Sequence, residues 1–169
     1  MKKLLFCVIG LFFFLLVFQA CGTTQSAAEK EKLAAELRDG VVNSTFTFDA
    51  TYAYPTGYRS VYLSPYYDVK ISLDTIRAYL PYYGRAYRAP MDPREGGFIF
   101  TSTDFQYRFV PGKRKGNWIV EIAILDLDRP VSFSFDIWEN GSARLTVNDV
   151  NRQPISFQGD VTIKKEEVK

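Results

Sequence analysis

Two groups of residues carry chemistry by their type and spacing: a cysteine behind an apolar leader, and a block of tyrosines mixed with arginines. Cys21 follows Gln19-Ala20 at the end of an apolar run from Leu4 to Phe18, which Lys2 and Lys3 precede. A basic start, an apolar stretch and a small residue before the cleavage point form a secretory signal. The run is shorter than the ~20 apolar residues that a spanning helix needs. The expected product is cut before Cys21, with a diacylglyceryl thioether on the sulfur and an acyl chain on the new amino group. An uncleaved anchor is the competing reading, since lipoprotein signals usually place Leu where this chain has Phe18. Against it, the chain turns polar at once after Cys21, with no basic stop-transfer cluster. One acyl chain holds a protein marginally and several hold it durably. No acid follows Cys21 before Glu29, so an acidic sorting patch for the cell surface is missing. The expectation is an outer-membrane lipoprotein on the periplasmic face, with surface exposure as the alternative.

The second group is a tyrosine window. Ten of the eleven tyrosines lie between Tyr52 and Tyr87, a stretch without phenylalanine, whereas nine of the fourteen phenylalanines lie downstream of the leader and outside it. The two side chains fill similar volumes, so the segregation concerns hydroxyls: a half-exposed tyrosine leaves its O–H in water. Arg59, Arg77, Arg85 and Arg88 share the window and can stack on rings or bind carboxylate and phosphate. Such rings either cover the rim of a curved sheet or form a recognition surface for an envelope protein, peptide or glycan. Tyr79, Tyr82, Tyr83, Arg85 and Tyr87 are the candidate ligand-binding residues, because Pro81 and Gly84 frame their loop.

Other chemistry is poorly supplied. The chain has no histidine, and its two cysteines are Cys7, inside the leader, and Cys21. The mature domain is thus expected to lack a disulfide, a thiol nucleophile and the commonest base and transition-metal ligand. Asp126 and Asp128 would point the same way on a strand and could share a proton, bind calcium or serve a glycan-directed hydrolase. With Arg129-Pro130 following, solvated turn acids are the simpler reading. No catalytic residue, cofactor or metal site is expected. The 21 basic and 19 acidic residues become 19 of each without Lys2 and Lys3, and nucleic-acid binding needs a basic excess. No nucleic-acid partner is expected, and Lys113-Arg114-Lys115 reads as a solvated hairpin tip between glycines.

The elements that must position these residues follow from periodicity. Residues 1–20 form the signal, 21–28 a lipidated tether, 29–164 a single domain and 165–169 a frayed tail. Ser26 and Glu29 have capping-box spacing, and Leu33, Ala34, Leu37 and Val41 define one helical face that weakens at Asp39-Gly40. The period then becomes two. Phe46, Phe48, Ala50, Tyr52 and Tyr54 form one half-buried face; Tyr67, Val69, Ile71 and Leu73 form a second. Asp74 is expected to cap a helical turn through Tyr79. One strand is expected over 97–110 with a bulge near Ser102–Asp104. A strand apolar on both faces follows at 117–125, then a hairpin turning at Asn140-Gly141 in a type I′ turn, and a last strand with Ile155, Phe157, Val161 and Ile163 inward. The fold class is mainly β (α+β): an antiparallel meander forming a curved sheet or partly closed barrel, with an N-terminal helix.

Three stretches carry a resemblance: Leu80-Pro81-Tyr82-Tyr83-Gly84-Arg85-Ala86-Tyr87, Asn140-Gly141-Ser142-Ala143-Arg144-Leu145, and Arg152-Gln153-Pro154-Ile155-Ser156-Phe157-Gln158-Gly159. From about Phe46 to Ile163 the chain resembles domain-of-unknown-function family 4251 of bacterial envelope lipoproteins. The resemblance implies a lipoprotein signal and brings no activity and no catalytic residue. The functional expectation is a lipid-anchored envelope protein acting as a non-enzymatic binding or interaction module. Its alternatives are a glycan-directed hydrolase and a structural envelope lipoprotein.

Overall fold

The computed structural model describes residues 27–87 and 96–163. The leader, Cys21 and the residue 26 cap lie outside them, as does the tail after residue 163. The chain divides into two units, Met1–Lys30 and Glu31–Lys169, and the second contains all the strands among the described residues. No helix among the described residues is long and apolar enough to cross a membrane.

Helix α1 (Ala27–Val42) runs past Asp39-Gly40 and buries Leu37 and Val41, while Leu33 stays half exposed. Ten strands follow: β1 (Phe46–Pro55), β2 (Val61–Tyr62), β3 (Asp68–Ile71), β4 (Ile76–Pro81), β5 (Gly97–Ser102), β6 (Phe105–Pro111), β7 (Asn117–Ile124), β8 (Val131–Trp138), β9 (Ser142–Asp149) and β10 (Ile155–Thr162). All pairings are antiparallel, in the order β5-β4-β3-β1-β10-β9-β8-β7-β6, with β2 added to β1. Two meanders thus meet at the β1–β10 ladder, and the sheet curls into a nearly closed barrel. Curling hides an apolar inner face that a flat sheet this wide would leave wet. Phe135 sits at the centre of that face, edge-on to Phe46 and Phe48 at 5.6 Å each and to Phe133 at 6.3 Å.

Four expectations need correction. Residues 76–81 form strand β4, not a capped helical turn: Ile76, Ala78 and Leu80 are buried, Arg77 and Tyr79 exposed, and both edges are paired. Asp74 accepts the Ser72 and Thr75 hydroxyls in the β3–β4 turn instead. The expected single strand over 97–110 is two, β5 and β6, which pair with different neighbours and form opposite edges of the sheet. They part at Thr103-Asp104, where the Thr103 amide donates to the Asp126 carboxylate at 3.0 Å and the Leu125 amide to Asp104 O at 2.9 Å. The β8–β9 turn is not type I′, because of its two central residues only Gly141 (φ 88°) has positive φ. Three residues, Glu139 to Gly141, link the strands, and the Gly141 amide donates to Trp138 O at 2.8 Å. That is the longer hairpin loop, with glycine in the left-handed position.

The fourth correction shapes the candidate site. The β1–β10 register shifts between Ala50 and Tyr52, so alternation does not carry through β1. Before the shift Phe46, Phe48 and Ala50 face inward; after it Ala53 and Pro55 do, and Tyr52 and Tyr54 turn outward. A bulge inserts one residue and exchanges the faces beyond it. The Thr51 carbonyl at this point accepts the Leu63 amide at 2.9 Å, which ties β2 down beside it. Gly159 lies opposite Ala50, so close that a β-carbon there would sit 2.0 Å from Asp49 O.

Candidate functional site

The predicted loop leaves β4 at Pro81 and docks on the β9–β10 turn. The Gln153 amide donates to Arg85 O at 3.0 Å and the Tyr87 amide to Asn151 O at 2.8 Å, with Ala86 bridged to Arg152. Tyr82 fastens this contact. Its single hydroxyl proton is shared between Arg85 O at 2.8 Å and Gln153 O at 3.2 Å. Its ring meets Phe98 edge-on at 5.8 Å, and the Arg152 guanidinium lies 5.0 Å above it. Burial pushes the Tyr82 phenol above the ordinary tyrosine value, against the Gln153 hydrogen bond and the Arg152 charge.

Beneath the loop, Asp149 is a buried hub. One carboxylate oxygen accepts Arg129 Nε at 2.9 Å and faces Arg152 Nε at 3.7 Å; the other accepts the Asn151 amide at 2.8 Å. Arg152, also buried, donates to Gly97 O at 3.2 Å. These polar residues fix the loop by binding its neighbours. Of the five candidates, Tyr82 is thus committed to structure, while Tyr83, Arg85 and Tyr87 stand exposed beside it. Tyr79 lies on β4 rather than in the loop, stacked on Tyr67 at 5.5 Å and 16°.

The larger grouping lies on the outer face of β1 and β2. Tyr52 and Tyr62 sit directly across from one another, ring centroids 5.2 Å apart, and Tyr54 joins Tyr52 at 6.4 Å. Tyr54 donates its hydroxyl to Gln158 Oε1 at 3.0 Å, and the Arg144 guanidinium lies 5.8 Å from the Tyr54 ring centroid. Tyr58 and Tyr66 flank β2, 65% and 77% exposed, while buried Leu63 anchors the excursion between them. Eight of the fourteen large apolar side chains exposed among the described residues are tyrosines, and all eight lie within residues 52–87. The composition signalled this surface; the β1 bulge, which no local pattern marks, decides which rings join it.

Elsewhere the acids behave as turn acids. Asp126 and Asp128 are exposed; Asp128 pairs with Arg129 at 3.2 Å. The Ser102 hydroxyl, which also reaches Asp104 O at 3.2 Å, and then the Thr103 amide hold the Asp126 carboxyl below its ordinary value. Lys113-Arg114-Lys115 forms the exposed β6–β7 tip, with Arg114 over Trp138 at 5.9 Å.

Together these features define a small antiparallel β-barrel domain with a tyrosine-bearing outer face. The chain belongs to the family described as Domain of unknown function (DUF4251), whose model matches residues 28–161. It is similar in fold to a crystal structure of a DUF4251 family protein from Bacteroides eggerthii. That likeness has a TM-score of 0.57 at 12% identity and covers 78% of this chain and 88% of that one. No curated protein matches the chain.

Proposed function

We propose that this protein is a non-enzymatic binding module of the cell envelope, held to its bilayer through a lipidated Cys21, that recognises a partner through the outer tyrosine face. The observation that carries the reading is the concentration of exposed rings around β1 and β2, with Tyr52, Tyr54 and Tyr62 packed ring to ring. Water-exposed aromatic area gathered in one place marks an interaction surface. Tyrosine suits that role because a rigid amphipathic ring gives contact area at low entropic cost, and serine adds adaptable hydrogen bonding; Tyr58-Arg59-Ser60-Val61-Tyr62-Leu63-Ser64-Pro65-Tyr66 has that composition. Membrane tethering would keep the protein close to envelope components, since the few residues from Cys21 to Ser26 that precede α1 reach at most ~22 Å.

The test pairs the wild-type domain with a Tyr52→Ser, Tyr54→Ser, Tyr62→Ser variant on arrays of envelope glycans and peptides. Signals lost in the variant, with its melting temperature unchanged, support the face as the site. An identical array pattern for both proteins refutes it. For the anchor, mass spectrometry of membrane-extracted protein should find a diacylglyceryl-modified peptide beginning at Cys21. An unmodified peptide beginning at Met1 overturns that half.

A further inference from the structure

We infer that the outer face of β2, β1, β10 and β9 binds a neutral oligosaccharide, with Tyr52, Tyr54 and Tyr62 as its contact surface and Gln158 and Arg144 as its hydrogen-bonding groups. The inference rests on the reading of this face as a recognition surface and names its ligand class. Register sets Tyr62, Tyr52, Gln158 and Arg144 in one row across four strands. The adjacent row carries Tyr54, Ser156 and Thr146, whose two hydroxyls are bonded at 3.1 Å.

A pyranose is amphipathic: its C–H faces are apolar, and its rim of hydroxyls both donates and accepts. The tyrosine rings match the faces. The rim needs both polarities, and this face has them. Arg144 only donates, Asp160 on the same face of β10 only accepts, and Gln158, its Oε1 engaged by Tyr54, keeps its amide N–H groups free to donate.

Charge argues against an anionic ligand. Asp136 lies directly across from Arg144, and Asp49 and Asp160 oppose each other in the row beyond Gln158. Arg144 forms no ion pair with them among the described residues, because Asp136 takes the Asn117 amide and the guanidinium rests over Tyr54. Acids around a single cation leave no positive field to gather phosphate or a polyanion. Peptide recognition by strand addition needs an open sheet edge. Here β1 and β10 are paired on both sides, and β2 offers two residues. The face is therefore read through side chains alone.

The test titrates the isotope-labelled domain with neutral cello-, xylo-, manno- and malto-hexaose, with oligogalacturonate and with a tyrosine-free peptide library, following amide shifts by NMR. At least one neutral hexaose should shift the amides of Tyr52, Tyr54 and Gln158. Its Kd should rise about tenfold or more in Tyr54→Ala and in Gln158→Ala, stay unchanged in Lys113→Ala on the exposed β6–β7 tip, and be the same at low and high salt. Three results overturn the inference: no neutral hexaose shifts these amides, binding is confined to oligogalacturonate and vanishes with salt, or only peptides bind. If oligogalacturonate or peptides bind at these tyrosines, the recognition surface survives and the oligosaccharide does not. If none of the probes perturbs the face and the arrays are also silent, both fall.

Discussion

Tyr107→Phe isolates the one tyrosine outside the window, and its effect should depend on pH. Tyr107 points inward from β6 and donates its hydroxyl to the Val41 carbonyl in the last turn of α1. Val41 is fully buried, and its carbonyl also accepts the Ser44 amide at 3.2 Å. Removing the hydroxyl at pH 8 deletes one net hydrogen bond, about 1 kcal/mol, which in a domain of this size lowers the melting temperature by roughly 2–6 °C. The phenol has a second role. Burial pushes its pKa well above the ordinary 10, only partly offset by a hydrogen bond with Ser44. A group whose folded pKa is raised gives stability that is complete below the unfolded value and is lost as pH climbs past it. Above pH 10 the wild type therefore loses up to about 1.4 kcal/mol per unit that the Phe variant does not lose. At pH 11 the deficit of the variant should vanish or reverse. Urea unfolding followed by fluorescence of buried Trp118 at pH 8 and pH 11 measures both differences. An equal deficit at the two pH values would show that Tyr107 does not titrate with folding and would refute this reasoning.

Two further substitutions test the frame around the site. Gly159→Val should abolish soluble folded protein, because even the first added carbon meets Asp49 O at 2.0 Å across the β1–β10 ladder; a cooperative melt within a few degrees of wild type would contradict the close approach. Asp126→Asn should remove part of the acid sensitivity. The Asp126 carboxyl is held below its ordinary value, so its stabilisation is present above about pH 4 and lost as pH falls further. The two proteins should converge in stability towards pH 2, and parallel acid-denaturation curves would exclude a role for Asp126 at the β5–β6 corner.

The strands with uninterrupted alternation could be read from sequence because one physical rule governed them. Val131, Phe133, Phe135 and Ile137 face inward as their period requires, and so do Ile155, Phe157 and Val161. Where two rules competed, the local one lost. Asp74 has the chemistry of a helix cap, yet Ile76, Ala78 and Leu80 gain more by filling the barrel wall between β3 and β5. Asn140-Gly141 favours a two-residue turn, but the three-residue loop lets the Glu139 amide reach Gly116 O at 2.8 Å. The tyrosine window was visible as composition, and its division was not. Tyr82 became a structural clasp because Arg152 and Gln153 converge on it from a distant part of the chain. Tyr52 and Tyr54 became surface because one extra residue at the bulge reversed their direction. Such long-range partners leave no trace in a local pattern.

The β1–β10 ladder also dictates when this domain can exist. β1 comes first among the described strands, yet its longest partner is the last of them, with Thr47 opposite Thr162 and Pro55 opposite Ile155. During synthesis Phe46 and Phe48 must wait for about a hundred further residues before their wall is complete, and pairing between such distant segments is slow. On the proposed route to the envelope, that delay would keep the chain unfolded while it is threaded across a bilayer. On that route β10 would be the strand that completes the wall beside β1.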